Sequence, residues 1–162
     1  MTEWKLYALG QPILKVDEKP VKFEIRKSLG LLIYLRFYGQ EHSREYFSSL
    51  LWPEHDQTHA LANLRRALSS LNKIIGHKFV LADREKIQIS TPSNIWFDVE
   101  EFENLISKIG NLNFEIVDQS LLDIENLNTA ISLYRGDFLE GFNIQGSNEF
   151  DKIGRASCRE RV

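Results

Sequence analysis

Between Thr58 and Ile75 the chain places Leu61, Leu64, Leu68, Leu71 and Ile75 three and four residues apart, a spacing that aligns on one face of an α-helix and on no regular strand. Such a stripe has to be buried against a partner, so the residues on the other side are set apart for something else. At about 100° per residue that other side carries His59, Ala62, Arg66, Ser69, Ser70 and Lys73, with Asn63 and Arg65 on the flanks.

The neighbours of this helix set the fold class. Upstream, Trp4 to Leu9, Pro12 to Val16 and Val21 to Arg26 read as short antiparallel strands bounded by turn residues, the third with the cleanest alternation of apolar and polar positions. Ser28 is placed to cap a helix running to Tyr38, with Gly39 as its stop. A second helix begins after Ser43 and ends at Trp52-Pro53, because the residue before proline is pushed out of the helical region. After a connector over Pro53 to Gln57 comes the long helix, ended by Gly76, and then Phe79 to Leu81 and Ile87 to Ile89 flank Asp83-Arg84-Glu85-Lys86 as a hairpin. Residues 1–91 are therefore expected to be an α+β winged helix-turn-helix domain: an N-terminal antiparallel sheet, three helices and a C-terminal wing hairpin.

Past a linker over Thr91 to Asn94 the pattern becomes all-α. Asp98 is placed to cap a helix over Val99 to Ile109, with Glu101 reaching back as in a capping box and Phe102, Leu105, Ile106 and Ile109 as its stripe. A further helix is expected over Leu121 to Tyr134, with Ile124, Leu127, Ile131 and Tyr134 inward and Gly136 past its end. Residues 96–151 read as the truncated start of a tetratricopeptide-like helical array, since one helix pair buries its faces only against neighbours. Residues 154–162 are polar, basic and aperiodic and read as a non-native or disordered tail, so no function is rested on Cys158.

Charge is unevenly spread along the 162 residues: the net −3 divides into +4 over residues 1–90 and −7 over residues 91–162. The basic half suits phosphates, and the acidic half suits a solvated or protein-facing surface. No apolar run approaches the ~20 residues of a membrane span, so a cytoplasmic protein is expected. One cysteine excludes an internal disulfide. His55 and His59 lie four apart with Glu54, Asp56 and His77 as further candidate ligands, but the first precedes the helix, and no metal is expected. Glu100, Glu101 and Glu103 crowd a helix start without a histidine or nucleophile, and Arg135-Gly136-Asp137 reads as a helix end; no enzyme activity and no cofactor are expected.

Short polar and cationic side chains opposite an apolar stripe are what a major-groove helix needs. Arg44 at the second helix start, with Arg84 and Lys86 on the hairpin, would supply phosphate or minor-groove contacts, and Arg65 on the helix flank belongs with them.

Leu50-Leu51-Trp52-Pro53, the run Ala60 to Leu71, Trp96-Phe97-Asp98-Val99 with Phe102, and Tyr134 to Phe142 together resemble the antibiotic-regulatory-protein (SARP) type of transcriptional activator over residues 4 to 151. Such proteins join an OmpR/PhoB-like winged helix to a bacterial transcriptional activator domain. The resemblance implies an activator that reads promoter direct repeats in double-stranded DNA, contacts RNA polymerase, and uses its helical domain for oligomerisation, a homodimer included, or signal coupling. By position, Asn63, Arg66, Ser69, Ser70 and Lys73 take the recognition role. The rival expectation is a winged-helix protein-interaction module of a larger signalling protein, since a basic excess of +4 is modest.

Overall fold

The computed structural model describes residues 1–90, 94–110, 117–143, 150 and 152. Its helices begin and end where local chemistry allows. α1 (Arg26–Tyr38) closes at Gly39, whose positive φ of 66° suits a residue without Cβ and whose N–H returns to the Leu35 carbonyl at 2.9 Å. α2 (Arg44–Leu51) is capped by Ser43, whose Oγ accepts the Tyr46 N–H at 3.0 Å. α3 (Gln57–Ile75) is capped by Asp56 through the His59 N–H and ends at Gly76. α4 (Asp98–Gly110) and α5 (Val117–Leu133) follow and pack on each other.

Among the described residues, seven strands form two sheets. In the first, β1 (Trp4–Tyr7) pairs antiparallel with β2 (Ile13–Val16), which carries the short β3 (Lys19–Pro20) on its outer edge. On its other side β1 pairs parallel with β7 (Ile95–Phe97), placing Leu6 opposite Phe97. The second sheet has the order β4 (His42–Ser43), β6 (Lys86–Ile89), β5 (Val80–Ala82). One apolar core joins them: Leu6 and Leu14 from the first sheet, Leu31, Leu32 and Leu35 from α1, Phe47 and Leu51 from α2, Leu64 and Leu71 from α3, and Ile87 and Ile95 are all fully buried.

Several expectations are corrected. Val21 to Arg26 is not a strand. Val21, Phe23 and Ile25 do alternate toward the core, but ladder pairing stops at Pro20, and Arg26 already begins α1. Alternation records which side of a segment meets the core; a strand also needs a neighbour with free backbone groups. Ser28 does not cap α1. It is the third helical residue, wholly buried, and its hydroxyl donates to the Ala67 carbonyl of α3 at 2.9 Å. The α5 stripe also points elsewhere: Ile124, Leu127, Ile131 and Tyr134 are 54%, 43%, 62% and 47% exposed, while from Leu121 on Asp123 and Ala130 are the buried positions of α5. The strands β4 and β7 have no counterpart in the sequence reading. Most of the expected linker and the whole 154–162 tail lie outside the described residues.

Asp98, expected as a cap for its own helix, is the first residue of α4 and also reaches across to the first sheet. Its two carboxylate oxygens accept the N–H groups of Ala8 at 2.8 Å and Leu9 at 3.0 Å, just past the end of β1. The segment after α5 returns to the same place, where the Leu139 N–H donates to the Ala8 carbonyl and the Gly10 N–H to the Asp137 carbonyl. Arg26 fastens it from α1, donating to the Gly141 carbonyl at 3.0 Å with its guanidinium over the Phe142 ring.

Candidate nucleic-acid interface

The apolar side of α3 is committed to the core: Ala60, Leu64, Ala67, Leu68, Leu71 and Ile75 are buried. Leu61, expected in the same stripe, is only half-buried because it sits at the edge facing the hairpin groove. Arg65, Arg66, Ser69 and Lys73 are exposed on the opposite side. Asn63 and Ser70, grouped with them in the sequence reading, are half-buried; on a helical projection they fall on the flank farthest from Arg65. The candidate recognition set is therefore divided, with Arg66, Ser69 and Lys73 outward, the expected phosphate contact Arg65 in line with Ser69 and Lys73, and Asn63 and Ser70 round the side.

Four of the cations here are unspent among the described residues, a state they share with Lys19, Lys22 and Lys78. Elsewhere Lys5 pairs with Glu18, Arg36 with Glu100, Lys27 with the Leu51 carbonyl, and Arg135 with the Gln11 carbonyl. By contrast Arg65, Arg66, Lys73 and Arg84 have no hydrogen bond or ion pair among the described residues. Lys86, expected to serve a phosphate, is held by Glu41 at 2.6 Å, which raises its pKa and partly neutralises it. Both groups are exposed, so a competing phosphate can displace Glu41 at little cost.

Arg44 has a structural duty as well. Its Nε donates to the Asp83 carbonyl at 2.6 Å and its backbone N–H to the Glu85 carbonyl at 2.8 Å, tying the start of α2 to the hairpin turn. The turn is closed by Asp83, whose Oδ1 accepts the N–H groups of Glu85 and Lys86, both at 2.7 Å; those bonds hold its carboxyl below the ordinary range. β4 adds a third strand, pairing His42 with Ile87 and Ser43 with Lys86. The hairpin is thus tied to the start of α2 and to β4, and two contiguous grooves open between it and α3. One is lined by Arg44, Arg65, Ser69, Asn72, Lys73 and His77; the other adds Glu45, Leu61, Asp83 and Arg84.

The chain has the fold of a solved protein: its whole length superposes on Mycobacterium tuberculosis EmbR, a structure determined in complex with a low-affinity phosphopeptide, with a TM-score of 0.76 and 17% sequence identity. The match spans 43% of the EmbR chain, so this chain accounts for less than half of that protein's length. No protein-family description matches the sequence, and no curated protein matches it. At this identity the likeness establishes a shared mixed α/β fold of sheets and helices.

Asn72 and His77 are groove residues that the sequence reading did not assign to nucleic acid. Asn72 could have been found, since it lies one turn from Leu68 and two turns from Arg65 and so shares their line. His77 follows the helix stop and lines the same groove with Ala82 of β5. His59 pairs through Nδ1 with Asp56, lowering the Asp56 carboxyl, and no group of three or more metal-ligating side chains occurs among the described residues. Among those residues, no helix is long and apolar enough to cross a membrane.

Proposed function

We propose that the chain is the DNA-binding part of a transcription regulator of the SARP type, a winged helix-turn-helix that lays α3 in the major groove with the β5–β6 hairpin as its wing. The observation that carries this reading is the clustering of free charge: Arg65, Arg66, Lys73 and Arg84 face outward together, unpaired among the described residues, beside the small residues Ala62 and Ser69 that let α3 approach closely. The shared fold with EmbR supports the architecture, and direct-repeat operators and RNA polymerase contact remain part of the same proposal.

The test is selection of bound sequences from a random duplex library, followed by salt titration. A repeated motif whose binding falls steeply with ionic strength is the expected outcome, because each neutralised phosphate adds about 0.9 to the log–log slope. Arg66→Ala and Lys73→Ala are each expected to weaken binding by about 1–3 kcal/mol with the melting temperature nearly unchanged. Parental affinity in both variants would sink the reading.

A second reading, a protein-interaction module, is favoured by the exposed apolar positions of α5 and by the −7 charge of the second half. It predicts no enrichment from the library and binding insensitive to salt.

A further inference from the structure

We infer that the segment from Gly136 to Phe142 is a latch: closed, it holds the first turn of α1 and through that turn α3, and its release loosens α3 while the rest of the fold stays formed. The consequence for DNA rests on the DNA-binding reading above; the latch itself does not.

The start of α1 is where the ties meet. Its N-terminus has no side-chain cap, and no acidic residue stands in its first turn. The residues there, Arg26 and Lys27, are cations set against the positive end of the helix dipole. Local chemistry gives that turn little support, and tertiary contacts supply it instead. Three consecutive residues each hold a different element: Arg26 donates to the Gly141 carbonyl and lies over the Phe142 ring, Lys27 donates to the Leu51 carbonyl at the end of α2, and Ser28 donates to the Ala67 carbonyl of α3. A shift of the segment that Arg26 grips is therefore passed two residues along to the bond that Ser28 makes with α3.

That segment is held against its own backbone preference. Leu139 sits at a φ of 57°, in the left-handed region that a bulky side chain rarely adopts. It is kept there by its N–H, which donates to the Ala8 carbonyl at 2.8 Å, by the Gly10 N–H donating to the Asp137 carbonyl at 2.9 Å, and by the burial of Leu139 and Phe142. Gly136 makes the seating possible, since a Cβ there would run into the Glu140 carboxylate and stand 3.2 Å from the Gly10 Cα. The segment is also continuous with α5, whose last turn runs on through the Tyr134 N–H to the Ala130 carbonyl. Displacement of α5 is delivered straight to the latch. A short, strained segment held by few backbone bonds is the kind of unit that opens on its own, at less cost than the whole fold.

The test is native-state amide exchange on the full chain, which needs no DNA. Arg26→Gln cuts the tie at an exposed side chain. Gly136→Val forces the latch off by setting a branched side chain against Glu140 and the Gly10 backbone. The reporters are the N–H groups of Leu139 in the latch, Ser28 in the first turn of α1, and Leu71, which bonds the Ala67 carbonyl within α3. Each variant is expected to speed exchange at all three by about fivefold or more, with Ile87 in the core of the hairpin sheet unchanged. Ser28→Ala, which removes the bond to α3 and leaves the latch seated, should make Leu71 insensitive to Arg26→Gln in the double variant. Faster exchange at Leu139 with Ser28 and Leu71 as in the parent would overturn the inference. So would a uniform rise that includes Ile87, because the segment would then open only with the whole fold. Should Gly136→Val fail to fold, Arg26→Gln decides alone.

A mixed-sequence duplex is the second probe. Coupling between two sites is reciprocal, so duplex bound at α3 should slow exchange at Leu139, and Gly136→Val, which changes no charge, should weaken the duplex about fivefold or more. A duplex that binds yet leaves Leu139 unchanged overturns the latch while DNA binding stands. If the parent chain does not bind the duplex, the functional reading falls and the exchange measurements still decide the latch.

Discussion

Asp98 is the residue on which the joint between the two halves turns. It is fully buried, and without it the N–H groups of Ala8 and Leu9 would face an apolar interior. Each buried donor left unmet costs about 1–3 kcal/mol, so Asp98→Ala should lower the urea-denaturation free energy by that amount or more, and Asp98→Asn, which keeps one acceptor, by less. Burial pushes the Asp98 carboxyl above its ordinary value of 3.8, while the two N–H bonds and Arg135 pull it back. The folded chain therefore holds this proton more tightly than the unfolded one. The stability attached to protonation is full below the ordinary value and is lost as pH rises through the folded value. Urea titrations across that interval should show wild type losing stability relative to Asp98→Asn as pH rises. Gly10, nearby, has φ of 95°, and a Cβ there would stand 3.1 Å from the Arg135 Cβ. Gly10→Ala is expected to cost about 1–2 kcal/mol from the backbone alone, visible as a lower melting temperature.

At the scale of elements, α3 and the hairpin respond to different perturbations. Leu64 and Leu68 are buried, so alanine at either should cost about 2–5 kcal/mol in chemical denaturation. The hairpin depends on the Asp83 carboxylate, whose folded value is lowered by the Lys86 and Glu85 N–H groups. Its contribution is present above the ordinary carboxylate value and lost as pH falls through the folded one. Acidification should accordingly speed amide exchange at Glu85 and Lys86 before α3 opens; simultaneous loss would contradict it. The helices were legible because start and stop residues are local: Ser43, Gly39 and Gly76 act within a few residues, and the Asp56 cap of α3, read in the sequence only as part of a connector, acts over the same short range. The strands were harder. β4 has two residues, and β7 pairs with a strand some ninety positions away, so neither has a local signature. α5 had the right period with the wrong facing, because a stripe states that a side is apolar and not which neighbour lies against it.

Across the whole molecule, the first and second halves share structure. β7 extends the β1–β2 sheet, Asp98 closes the end of β1, and Leu139 and Phe142 join the common core. A fragment ending at residue 90 would lose Ile95 and Phe97 from that core and leave one edge of β1 unpaired. It should melt well below the full chain by circular dichroism, and equal melting temperatures would mean that the first half stands alone. The candidate interface divides along the same line. Sequence was enough to place Arg66, Ser69 and Lys73 opposite an apolar stripe and Arg65 on its flank, because helical period is a property of neighbouring residues. It was also enough to put a hairpin after α3. Which cations are spent on carboxylates, that Asn63 and Ser70 turn aside, and that Asn72 and His77 meet Arg44 in one groove were decided by tertiary structure, since each depends on contacts between segments far apart in the chain.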